Sequence, residues 1–305
     1  MFDIMKGKYY ESDYEEALID LLVQQGWEYT HGGSISRNNR EVLFVDDLML
    51  YLQQRYPDLQ HGDIEEIINR LRHVSGQTHF ELLRNTYYLV RDGFRYIRNQ
   101  DGETFDIEFV DFEAQNKNNI YRCVNQFEVG YGQKNDIRIP DVLLFVNGIP
   151  LCVFELKNPT DFNATIADAY DQIHIRYKRD IPHLLRYAPL SCISDATINN
   201  TKLGTTYTPY NHYYVWKKVN NEDESAKRGT DQVKTIVAGV YEPNRFLEII
   251  RDFVYFPDKK HDKEEEVVCR YPQFFATRML KESVLKAHSA NSSKGGTYFG
   301  ATGCG

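Results

Sequence analysis

Residues 139–157 read Ile139-Pro140-Asp141-Val142-Leu143-Leu144-Phe145-Val146, then Asn147-Gly148, then Ile149-Pro150-Leu151-Cys152-Val153-Phe154-Glu155-Leu156-Lys157. Two apolar runs joined by Asn-Gly describe a buried β-hairpin, because that dipeptide suits the positive-φ positions of a tight hairpin turn. Yet these runs carry two carboxylates and an amine where a plain core would carry Val or Ile. Buried charge is costly unless it is paired or holds a metal. A local rule broken in this way marks a functional site.

Strand side chains alternate, so Glu155 and Lys157 share a face and Leu156 takes the other. Whether Asp141 joins them is a question of register. If Val146 pairs with Ile149 across a two-residue turn and the ladder continues unbroken, Asp141 lies opposite Phe154 and faces away from Glu155. A three-residue loop, or a bulge near Pro150, puts Asp141 opposite Glu155 instead. Proline cannot donate to the ladder and suits such a bulge. With that register the two carboxylates present hard oxygens to one Mg²⁺, which keeps several waters and takes up phosphate oxygens. Lys157, one pleat away, is placed to orient a water or to offset charge developing on a phosphate.

An acidic residue, any residue, then Lys is a common tripeptide, and a surface strand end is its plain reading. The apolar runs, the turn and the following helix single this copy out. After Pro159 and Asp161, residues Ile166, Tyr170, Ile173 and Tyr177 recur at helical spacing.

On these residues the chain resembles the PD-(D/E)xK nucleases, and more closely the amino-terminal part of the restriction (R) subunit of type I restriction enzymes, over most of its length. The resemblance implies an α/β fold: a restriction-endonuclease-like core, a mixed sheet flanked by helices, with a helical insertion at about 45–92 inside a nuclease domain of residues 1–258. It implies that Asp141, Glu155 and Lys157 are catalytic, that Asp141 and Glu155 hold Mg²⁺, and that a glutamate of the first helix completes the site. Glu11, Glu15 and Glu16 are the candidates. Glu15 is preferred because it shares a face with Leu18, Ile19 and Leu22; all three also fit as ordinary acidic residues of a first helical turn. The family further carries a Gln and a Tyr on the next helix, here Gln172 and Tyr177. Their five-residue spacing is one longer than the expected pattern. On a regular helix it separates them, leaving Tyr177 in the core and Gln172 as the site or DNA contact.

The last residues, Gly300-Ala-Thr-Gly-Cys-Gly305, match the opening of a GxxxxG phosphate loop and stop before its Lys. Gly300, Thr302, Gly303 and Gly305 would be ATP-binding positions of an incomplete loop. Upstream, Arg270-Tyr-Pro-Gln-Phe-Phe resembles the adenine-reading segment of superfamily 2 helicases, with Gln273 as the reading residue. Residues 259–305 then form a linker and the truncated start of a RecA-like ATPase/helicase domain, with ATP used only by a full-length protein.

The function this implies is the Mg²⁺-dependent endonuclease of a type I R subunit. It would cut double-stranded DNA after ATP-driven translocation, in company with methyltransferase and specificity subunits. The rivals are a non-catalytic docking module that tethers the motor to the methyltransferase, and a stand-alone nuclease.

Composition is compatible with this. The 305 residues are 42% hydrophobic and 26% charged, ordinary for a globular chain with a sizeable core. A net charge of −8 argues against a DNA-binding surface all round but leaves room for a local groove. Arg176, Lys178 and Arg179 are the expected DNA-binding residues, in a basic segment that also holds His174, His183 and Arg186; a solvated helix end is the plain alternative. Five scattered cysteines form no CxxC pair and nine histidines no HxxxH pair, so neither zinc nor a disulfide framework is indicated. No apolar run is long enough for a membrane span and no signal peptide precedes Met1-Phe-Asp-Ile, so a cytoplasmic location is expected.

Along the chain, helices are expected at about 12–25, 46–56, 63–74 and 78–90, the third opening on Asp63 as N-cap. A hairpin follows at 95–110, a strand at 121–129, the hairpin above, a helix at 164–179, short strands at 190–193 and 213–216, and helices at 242–255 and 270–288.

Overall fold

The computed structural model describes residues 11–113, 118–133, 136–157, 165–195, 201–226, 230–257 and 264–292. The phosphate-loop positions Gly300, Thr302, Gly303 and Gly305 lie outside these residues, as do Pro159 and Asp161.

Helix α1 (Glu11–Gln24) leads into strand β1 (Glu28–His31). Helices α2 (Val45–Arg55), α3 (His61–Arg72) and α4 (His79–Asp92) follow β1 in the chain. Next come β2 (Phe94–Ile97), β3 (Thr104–Ile107), β4 (Tyr121–Asn125), β5 (Val129–Tyr131), β6 (Asp136–Arg138), β7 (Val142–Val146) and β8 (Ile149–Leu156). Helix α5 (Ile166–Asp171) runs directly into a π-helix (Gln172–Tyr177) and α6 (Lys178–Asp180), before α7 (Pro182–Leu185). Strands β9 (Leu190–Ser194) and β10 (Thr201–Gly204), helices α8 (Thr230–Val240) and α9 (Pro243–Asp252), strands β11 (Val254–Tyr255) and β12 (Val267–Val268), and α10 (Tyr271–Ser289) complete the described chain.

Six strands form the central sheet in the order β1-β4-β7-β8-β9-β10. It is mixed: β1 with β4 and β8 with β9 are parallel, and the other pairs are antiparallel. Every residue of β7 and β8 is buried, as strands covered on both faces require. On one face Phe154 packs on Tyr241 at 4.7 Å between ring centroids, and Trp27 Nε1 donates to the Tyr241 carbonyl at 2.6 Å, so α1, α8 and α9 lie there. On the other, Phe145 packs on Phe44 at the start of α2, 4.4 Å between ring centroids. Helix α4 is tied in by the Tyr87 hydroxyl, which reaches the carbonyls of Ile250 and Val254, both at 2.8 Å.

The β7–β8 turn is the expected two-residue one. Val146 pairs with Ile149, and Asn147 and Gly148 both have positive φ, at 50° and 78°. Asn147 is fully buried and fully used: its Oδ1 accepts from Ile120 N–H at 2.8 Å, and its Nδ2 donates to the Phe109 carbonyl at 3.0 Å and Asn119 Oδ1 at 2.8 Å. The ladder then slips. Phe145 pairs with Pro150 but Leu144 pairs with Cys152, so Leu151 is the extra residue of a bulge directly after the proline.

Several expectations need correction. Asp63 is the third residue of α3, not its N-cap; it caps in reverse, accepting from Gln60 N–H at 2.9 Å. The strand expected at 121–129 breaks at Gln126, whose φ is +50°. Residues 213–216 make only an isolated bridge, Tyr214 to Leu203. Helix α8 and strand β10 are additional.

Candidate active site

From Val142↔Phe154 the shifted ladder steps to Asp141 opposite Glu155, and with the bulge in place both side chains fall on one face. The Asp141 Oδ2 accepts from the Leu156 N–H at 2.5 Å, which locks the end of one strand to the other. Glu155 has no solvent exposure. Its Oε1 receives the Lys157 ammonium at 2.7 Å and its Oε2 the Tyr177 hydroxyl at 2.9 Å, so the buried charge is both paired and hydrogen-bonded. Lys157 is itself held by its backbone N–H to the Ser194 carbonyl at 2.8 Å.

The helix behind the hairpin corrects the sequence reading of Gln172 and Tyr177. Residues Gln172–Tyr177 are π-helical, so groups five apart come into line. Gln172 Nε2 donates to the Tyr177 hydroxyl at 2.9 Å. Tyr177 is buried, as a core residue would be, and it also touches Glu155; the Ile139 carbonyl lies 3.3 Å from the same hydroxyl. Burial first, then the Glu155 charge, push the phenol well above the usual tyrosine range, so it remains a proton donor. The signal for this contact was in the sequence: one residue too many between Gln and Tyr is what a π-turn absorbs.

Glu15 is buried while Glu16 is exposed. Its Oε1 accepts from Asn125 Nδ2 at 2.6 Å, and Asn125 pairs with Val142, next to Asp141. The neighbouring Tyr14 hydroxyl meets Ser194 Oγ at 2.8 Å. Helix α1 therefore crosses the same end of the sheet as Asp141 and Glu155, on the opposite face from Glu155. Among the described residues no three His, Cys, Asp or Glu side chains converge as a metal cage. The donor set is two facing carboxylates, which fits a Mg²⁺ that keeps waters and takes substrate oxygens for its remaining positions.

The basic segment divides. Arg176 and Arg179 line a cleft of about 360 Å³ with Gln172, Tyr177, Ile175 and Arg138. Lys178 turns elsewhere: its ammonium lies 3.6 Å from the centre of the Tyr207 ring, in a cavity with His79, Leu83 and Pro182, and burial lowers it to about 8. Arg186 donates to the carbonyls of Leu71 and Arg72. His174, stacked on Tyr170, is held neutral by burial, its pKa lowered to about 3. Gln273 lies apart, on α10; its Oε1 accepts from Arg270 N–H at 2.8 Å, in a cleft with Tyr207, His212 and Tyr214. No helix is long and apolar enough to cross a membrane among the described residues.

Comparison with known proteins gives a consistent picture. Residues 8–212 match the family model described as type I restriction enzyme R protein N terminus. The chain is 30% identical over 292 residues to the type I restriction enzyme HindI endonuclease subunit of Haemophilus influenzae, covering 92% of this chain and 27% of that protein. It is 26% identical over 302 residues to the putative type I restriction enzyme MjaIXP endonuclease subunit of Methanocaldococcus jannaschii, covering 90% and 27%. To the type I restriction enzyme SauMSSORF170P endonuclease subunit of Staphylococcus aureus it is 27% identical over 191 residues, covering 61% and 19%. The chain spans about a quarter of the length of the first of these relatives.

Proposed function

The chain belongs to the family of type I restriction enzyme R protein N termini, and from that premise we propose that its hairpin is the DNA-cutting site of an R subunit. The observation that carries the reading is the bulge at Leu151, which sets Asp141 opposite Glu155 with the Lys157 amine 2.7 Å from Glu155. Asp141 and Glu155 are the residues that would hold Mg²⁺. When bound, the ion polarises a phosphodiester and acidifies a water.

The protein's own groups supply the rest. Tyr177 and Lys157 fix the Glu155 carboxylate from two sides, so its orientation is set before substrate arrives. Gln172 fixes the Tyr177 hydroxyl in turn. Lys157, 13% exposed, is the cation beside the place where charge develops on the phosphate. Glu15, across the sheet end, is a supporting carboxylate held by Asn125. In a full-length protein the substrate is double-stranded DNA, cut after ATP-driven translocation, with methyltransferase and specificity subunits as partners. Residues 1–258 are the nuclease domain, and 259–305 open the motor with Gln273 at its adenine site.

Calorimetry with Mn²⁺ on this chain tests the site: binding that is lost in Asp141→Ala and in Glu155→Ala is expected. In the complete enzyme the same substitutions, and Lys157→Ala, should abolish cleavage and leave translocation intact. Cleavage retained by any of them sinks the reading. Absence of metal binding favours the docking-module alternative.

A further inference from the structure

The cleft beside Tyr177 has a composition that the hairpin site does not use. Its lining includes three guanidinium groups, those of Arg138, Arg176 and Arg179. Arg138 comes from β6, just upstream of the hairpin, whereas the other two come from the π-helix and α6.

One carboxylate organises two of them. Asp180 Oδ2 lies 2.6 Å from Arg138 Nη2, and Asp180 Oδ1 lies 2.7 Å from Arg179 Nε. The Asp180 side chain is only 6% exposed, and its two arginines hold it well below the usual carboxylate range, at about 2. Arg138 is further steadied over the Tyr131 ring at 4.7 Å. No carboxylate among the described residues pairs with Arg176. Three cations face one anion, so the cleft keeps a positive excess in a chain whose net charge is −8. Its floor is Gln172 and Tyr177, the pair that ends on Glu155.

We infer that Arg138, Arg176 and Arg179 form a phosphate clamp that takes the DNA backbone beside the scissile position. Arg176 can offer a phosphate the paired N–H donors of a planar guanidinium, whereas Arg138 and Arg179, whose Nε and Nη2 groups face Asp180, contribute fixed positive charge and lose little freedom on binding. A cleft with a positive excess, on a chain of net charge −8, also draws the strand to this end of the sheet. Asp180 is a positioning residue here, because it sets the direction of Arg138 and Arg179 and does not itself meet the phosphate. The role given to the bound strand rests on the nuclease reading of the hairpin, while the clamp itself does not need a metal.

The test is fluorescence anisotropy with a labelled DNA duplex and the 305-residue chain, without divalent cation, over a range of salt. Arg138→Gln and Arg176→Gln should each weaken binding whatever the sequence, and each should lower the slope of log affinity against log salt by about 1. Arg176→Gln breaks no ion pair, so it carries the test even if Arg138→Gln disturbs the β6–α6 contact. Unchanged slopes in both variants overturn the clamp, as does absence of duplex binding by the unaltered chain at low salt. Mn²⁺ calorimetry on the same samples separates the two claims. Altered slopes without metal binding at Asp141 and Glu155 leave the clamp and remove the nuclease reading; metal binding with unaltered slopes does the reverse.

Discussion

Gln172 and Tyr177 stand five residues apart and are joined side chain to side chain at 2.9 Å. A regular helix turns about 100° per residue and cannot bring such a pair together, so the π-turn is the cause of the contact. A π-turn is one residue inserted into an α-helix. Deleting Ile175, which is 57% exposed, should therefore restore a regular helix and keep the contact at four-residue spacing. Stability in urea should stay within about 0.5 kcal/mol of the parent, the range of a surface change. Deletion of the buried Ala169, earlier in the same helix, rotates everything after it and should lower the unfolding midpoint severely. Equal losses from both deletions would show that the inserted residue is not what shapes the helix.

Lys157 and Glu155 make a buried pair in which the Glu155 side chain has no exposure and the Lys157 side chain 13%. Removing one partner from such a pair leaves an uncompensated charge, at a cost of about 3–5 kcal/mol. Lys157→Met should show this loss by urea denaturation. Adding Glu155→Gln to the same chain should recover most of it, because a neutral amide still accepts from Tyr177. A double variant no more stable than Lys157→Met would mean that the loss comes from packing.

How much of this was legible follows the physics of each signal. The hairpin could be read because its apolar runs, its Asn-Gly turn and its proline are all local, and the chemistry demanded a bulge that Leu151 supplies. Helices α2, α3 and α4 were legible for the same reason: their apolar spacing is local, and α4 opens on the Thr78 cap. Arg138 carries no such mark, since it meets Asp180 only through tertiary packing across forty-two residues. Lys178 and His174 sit in a segment that looks uniformly basic, and only the fold shows that one turns to Tyr207 and the other is stacked on Tyr170. Helix α8 was hidden by its polar lead-in. Its Gly239 looks like a helix breaker, but a Cβ there would strike Trp216 Nε1, so close packing explains the glycine.

The turn that sets the hairpin register can be broken from either residue. Asn147→Ala would leave the half-buried Ile120 N–H and the buried Phe109 carbonyl without their Asn147 partner, the latter worth about 1–3 kcal/mol. Gly148 has φ +78°, and a Cβ there would collide with the Phe44 carbonyl oxygen, so Gly148→Ala combines strain with a clash. Both variants should unfold at lower urea and bind Mn²⁺ more weakly, since Asp141 faces Glu155 only in the shifted register. Weaker folding with undiminished metal affinity would separate the turn from the site.

Glu266 gives the chain a pH dependence of predictable sign. It is 2% exposed, and among the described residues neither carboxylate oxygen has a hydrogen-bond partner. Burial raises its pKa well above the usual 4.5. The groups that face it are Lys178, lowered by its own burial to about 8, with Thr205, Tyr87, Tyr207 and Tyr213. A carboxyl whose folded pKa exceeds its unfolded value binds its proton more tightly when folded. Its stabilising contribution is full below about pH 4.5 and declines as pH rises through the folded pKa. Glu266→Gln keeps the shape and removes the ionisation. Thermal melting should show the variant gaining on the parent steadily from pH 5 to pH 8, with the two converging near pH 4. A gain of the same size at every pH would mean that the side-chain amide has found a hydrogen bond the carboxyl lacks, and that ionisation at this position does not govern stability.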